Sequence, residues 1–112
     1  MSNQETTANF TTAEMEETIA RISSHKGVEG VMIMNREACR CHHSIDLDED
    51  KAKTHSAALS ELTAKASHIV GLLNRDDELT FLRIRSKQRE IMVSPDKGFI
   101  LVVLQNPNVS EE

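Results

Sequence analysis

The chain of 112 residues has no tryptophan, no tyrosine and only three phenylalanines. The basic run Arg83, Arg85, Lys87, Arg89 therefore has one aromatic neighbour, Phe81. Single-stranded nucleic acid is held by stacking platforms in a positive groove, so that function is disfavoured. Bases are also the minority charge, 13 Lys and Arg against 18 Asp and Glu, for a formal charge of −5. A nucleic-acid binder usually carries the opposite balance, and a solvated hairpin tip or contact with an acidic partner explains the run better. Four glycines are too few for a Gly-rich phosphate cradle, and Gly27-Val-Glu-Gly30 reads instead as a helix cap entering a strand. No apolar run approaches the ~20 residues of a membrane span. Met1 to Phe10 is polar, carries Glu5 and does not resemble a secretory signal. The two cysteines, Cys39 and Cys41, would share one face of a strand, a poor geometry for a disulfide. They read as free thiols in a reducing compartment, and the chain is expected in the cytoplasm.

What remains is a single 12.5 kDa domain with 38% hydrophobic and 28% charged residues. A chain of this size can bury roughly 65% of its unfolded surface without staples. Residues 1–10 read as a flexible tail, 11–107 as the domain and 108–112 as an acidic tail. Thr11 and Glu14 form a capping box, and Phe10 with Met15 has the spacing of a hydrophobic staple. Met15, Ile19 and Ile22 form the apolar stripe of a helix over 12–26, with Gly27 as its left-handed terminator. Val28 to Asn35 is a strand whose consecutive apolar residues, Val31 to Met34, predict burial on both faces. Residues 38–45 alternate weakly and predict a more exposed hairpin partner. Asp46, Asp48, Glu49 and Asp50 open a long helix with acids suited to its dipole; they lack the spacing of a calcium loop. Ala52, His55, Leu59, Leu62, Ala66, Ile69 and Leu73 fall at steps of three and four, one stripe along that helix. His55 lies in the stripe as an interface histidine rather than a catalytic one. Asn74 is placed to end the helix, and Gly71 loosens its last turn. Three strands follow, at 78–86, 89–94 and 98–105, the last two joined by the turn Pro95-Asp96-Lys97-Gly98. Leu79 and Phe81 should face one side of the first of these, and Leu82 and Ile84 the other.

The last strand is apolar on both faces and must be central and covered above and below. Only two helices are available to cover a five-stranded antiparallel sheet some ~24 Å wide. Apolar surface is left over, and such patches mark interaction sites. The chain reads as an α+β (α/β) domain, in the order helix, strand, strand, long helix, three strands, that another chain completes. Cys39, Cys41, His42 and His43 are the one cluster of metal-ligand types, without the second pair of a structural zinc site. No nucleophile elbow, P-loop or zinc-protease motif is present, and no acid, base and nucleophile set can be assembled. No enzyme activity, catalytic residue, cofactor or metal is expected.

Three strings carry a family resemblance: EETIARISSHKGVEGVMIMN (16–35), DELTFLRIRSKQREIMVSPDKGF (77–99) and LVVLQNP (101–107). Over residues 14–107 the chain resembles the roadblock family of dynein light chains. The resemblance implies a non-catalytic dynein subunit that forms a homodimer, or a heterodimer with a paralogue. Edge strands would pair across the dyad into a ten-stranded sheet, with the two long helices side by side. The dimer would bind a helical segment of the dynein intermediate chain, in the cytoplasm and cytoskeleton or in a cilium. Wider relatives scaffold or regulate small GTPases, which is the second reading. The dimer seam is assigned to Leu59, Leu62, Ala66, Ile69, Leu73, Leu79, Phe81, Leu82 and Ile84. The partner surface is assigned to Met15, Ile19, Ile22, Phe99, Leu101 and Val103. Residues 38–50 and the first dozen depart from the best-known cytoplasmic members, which leaves an axonemal role open.

Overall fold

The structure is a computed structural model that describes residues 11–35, 41–43, 48–96 and 98–108, with backbone only at 41–43. The expectations for residues 1–10 and 109–112, Cys39, Asp46 and Lys97 lie outside these residues. So do those for the side chains of Cys41, His42 and His43.

Helix α1 (Thr12–Ser23) starts where its cap dictates. The Thr11 hydroxyl accepts the Glu14 N–H, and the Glu14 carboxylate accepts the Thr11 N–H, both at 3.0 Å. The helix ends three residues before the 26 expected. Ser24 closes it, donating its N–H to the Ala20 carbonyl. Gly27, at φ 89°, turns the chain into β1 (Val28–Asn35) rather than terminating the helix.

Strand β2 is the three-residue segment Cys41–His43, within the 38–45 expected. Helix α2 (Glu49–Leu73) begins on Asp48, whose carboxylate accepts the Lys51 N–H at 2.8 Å. Strand β3 covers only Leu82–Arg85, short of the expected 78–86. Continuing its register along β4 (Glu90–Pro95) would set Thr80 opposite Pro95, which has no N–H for a ladder. Strand β5 (Phe99–Gln105) follows a turn in which Gly98 takes φ 81° and the Asp96 N–H reaches the Phe99 carbonyl.

The sheet is antiparallel throughout, in the order β2-β1-β5-β4-β3. Strand β5 is central, as its doubly apolar sequence requires. Cross-strand register assigns every residue to a face. Met32, Met34, Val93, Ile100 and Val102 form the core cluster on one face, with Leu59 of α2 and Leu82, Ile91 and Leu104 packed on it. Val31, Ile33 and Ile19 form the cluster on the other, with Met15, Ile22, Val28, Phe99 and Leu101 around them. The two helices thus cover opposite faces. A bulge between Val28 and Gly30 leaves Glu29 as the inserted residue, and its carboxylate receives Arg89 Nε at 2.8 Å.

Candidate partner-binding surfaces

The stripe along helix α2 is not uniform in burial. The helix buries Ala52, Ser56 and Thr63, with Leu59, Ser60, Ala66, Ser67 and Val70 half-buried. The expected stripe therefore splits. Ala52, Leu59 and Ala66 turn inward. Leu62, Ile69 and Leu73 are 38%, 55% and 83% exposed, and His55 is exposed with Nδ1 2.7 Å from the Lys51 carbonyl oxygen. The reason lies in small hydroxylated residues that satisfy themselves. Thr63 Oγ1 donates to the Leu59 carbonyl at 2.8 Å and Ser56 Oγ to the Lys53 carbonyl at 3.2 Å, so neither needs a partner in the sheet. At ~100° per residue, Leu62, Ile69 and Leu73 lie about a quarter-turn round from this inward line. Leu72, which the stripe omitted, adds a further exposed side chain at 72%.

Near this strip the sheet ends in an open edge. Leu82 and Ile84 of β3 are half-buried and share the α2-side face, where Leu82 packs on the core cluster. What β3 offers a second chain is its backbone. Leu79 and Phe81 precede the strand; Leu79 is half-buried and Phe81 is 48% exposed. Ser67 of α2, residues 77–80, Pro95 and Asp96 line a cavity of about 560 Å³, which places the last turns of α2 over the approach to β3.

On the opposite face α1 packs on β1. Ile19 is buried against Val31 and Ile33, so it belongs to the core, a correction to its assignment as a partner contact. Met15, Ile22, Phe99, Leu101 and Val103 are half-buried. Thr18, Arg21, Ser94, Pro95, Asp96, Phe99 and Leu101 line a groove of about 380 Å³ beside α1. Beyond it lie Met92 and Val103, opposite one another in register, and then Arg83 and Arg85.

Glu90 is the residue that sequence reasoning missed. It is 5% exposed, its Oε2 lies 2.9 Å from Arg83 Nε, and its Oε1 accepts Gln105 Nε2 at 3.4 Å. The Arg83 guanidinium lies 5.9 Å from the Phe81 ring centre. A glutamate opening the apolar run Ile91-Met92-Val93 was the available signal. Among the described residues, no three His, Cys, Asp or Glu side chains are placed to hold a metal ion, and no helix is long and apolar enough to cross a membrane.

An antiparallel sheet with a helix on each face, an open edge and an outward apolar strip defines an α+β domain. The Roadblock/LC7 domain family matches residues 14–105, and the chain belongs to it. Solved structures share the fold at low identity. A Roadblock/LC7 domain from Streptomyces avermitilis is 16% identical with TM-score 0.68, over 82% of this chain and 78% of that one. The gliding protein MglB from Thermus thermophilus is 13% identical with TM-score 0.70, over 85% and 73%. An MglB described with a tetrameric arrangement is 12% identical with TM-score 0.73, over 87% and 74%.

Proposed function

We propose that this chain is a non-catalytic docking subunit that works as a symmetric dimer. The observation that carries the reading is the inverted α2, which turns Leu62, Ile69, Leu72 and Leu73 to solvent. Exposed apolar surface of this kind is costly in a monomer and ordinary at an obligate interface. In the dimer, the long helices meet along this strip and the β3 edges join two sheets into one of ten strands. The seam then comprises Leu62, Ile69, Leu73 and Phe81 by side chain, and β3 by backbone.

The partner of the dimer is the dynein intermediate chain, which makes the protein a light chain of the motor in the cytoplasm or cilium. Support comes from the strings LTFLRIRSK and EIMV-x-PDK, which resemble dynein light chains. An amphipathic helix would lie in the groove beside α1, against Phe99 and Leu101. A second reading, a scaffold or regulator of a small GTPase, is favoured by the likeness to MglB structures, at 12–13% identity a likeness of fold.

One experiment separates the two. The tagged chain is used to capture partners from a cell extract, and the captured proteins are identified by mass spectrometry. Dynein intermediate chain is the expected product. A Ras-like GTPase captured without any dynein subunit would replace the first reading with the second.

A further inference from the structure

The segment around β3 is oppositely charged at its two ends. Asp76, Asp77 and Glu78 precede the strand, while Arg83, Arg85, Lys87 and Arg89 lie on it or just beyond. The bases are unequally used within the chain. Arg83 is held by the buried Glu90, and Arg89 by Glu29. Arg85 is the register partner of Glu90, yet that carboxylate is occupied by Arg83 and Gln105. Arg85 is exposed and forms no ion pair among the described residues, and neither do Asp76, Asp77 or Glu78.

Resting on the dimer reading above, in which the β3 edges meet antiparallel across the dyad, we propose that Arg85 pairs with the partner's Asp77 and so fixes the register of that pairing. Antiparallel self-pairing sets the acidic end of one segment against the basic end of the other; parallel pairing would set like against like. Residues directly opposite must share a face, so a symmetric pairing centres on a single residue. Centred on Phe81, it puts Arg85 directly opposite the partner's Asp77. Centred on Leu82, it puts the two on a diagonal, within the reach of a long side chain. Leu79 to Phe81 then extend the strand. Two copies each of charge −5 repel at long range, so local complementarity at the seam favours this docking over other approaches.

The test is sedimentation equilibrium of the full chain at physiological salt, with Arg85→Glu, Asp77→Arg and an equimolar mixture of the two. Each variant alone replaces two attractions by two repulsions, and its dimer dissociation constant should rise about tenfold. In the mixture, Glu at 85 meets Arg at 77 on one side of the dyad and the native pair forms on the other. Mixed dimers should regain the wild-type affinity. In 1 M salt, where the screening length falls to ~3 Å, the differences should shrink. Both positions are exposed, and circular dichroism melts identify a variant that misfolds. A dissociation constant within twofold of wild type for both variants, or a mixture no tighter than either alone, would overturn the pairing and leave the dimer intact. A monomeric wild type would overturn both.

Discussion

Helices α1 and α2 cover opposite faces of one sheet and are built in opposite senses. Helix α1 places Met15, Ile19 and Ile22 on the sheet and its acids in water, the ordinary pattern of a half-buried helix. Helix α2 lays Ala52, Ser56, Thr63 and Ser67 toward the sheet and holds Leu62, Ile69, Leu72 and Leu73 away from it. The difference teaches that a helix's large apolar residues mark its most demanding interface, which need not be inside its own chain. For α1 that interface is the domain core. For α2, in the proposed dimer, it is a second molecule.

The comparison can be broken first at its strongest points. Ile19→Ala removes a buried side chain from the α1 cluster and should lower unfolding stability by about 2–5 kcal/mol, read by denaturant titration. Leu62→Asp should leave that titration nearly unchanged at concentrations where the chain is monomeric. It should instead weaken the dimer about a hundredfold, or about 2.7 kcal/mol, read by light scattering across a dilution series. A large loss of monomer stability from Leu62→Asp would show that α2 uses this residue internally.

Smaller effects sharpen the contrast. Thr11→Ala deletes half of the capping box of α1 and should cost about 1 kcal/mol in thermal unfolding. Gly71→Ala in α2 should gain about 0.5–1 kcal/mol, because a methyl group there meets nothing within 4 Å and loses less backbone entropy. Ser60 Oγ is buried without a hydrogen-bond partner among the described residues. Ser60→Ala should be neutral or stabilising by up to about 1 kcal/mol, a sign that an inward position of α2 prefers small size over polarity.

Much of the fold was legible in the sequence because its signals are local. The capping box at Thr11, the run Val31 to Met34 and the doubly apolar β5 each act within a few residues, and they place α1, a buried β1 and a central β5. The inward face of α2 was not legible. A heptad of apolar residues looks like a core stripe, and nothing in the string shows that Ser56 and Thr63 satisfy their hydroxyls on their own helix. The face taken by Leu82 and Ile84 depends on the neighbour strand β4, and so does the late start of β3 opposite Pro95. Glu90 was overlooked for the same reason, since its partners Arg83 and Gln105 come from the two strands that flank it.

The central claim is that α2 and the β3 edge are completed by a second copy of the chain. Sedimentation equilibrium of the full-length protein at micromolar concentration, beside Leu62→Asp, tests it most directly. The wild type should sediment at twice the 12.5 kDa chain mass and the folded variant at the single-chain mass. A wild type that stays at the single-chain mass, or a Leu62→Asp variant that remains fully dimeric, would contradict it.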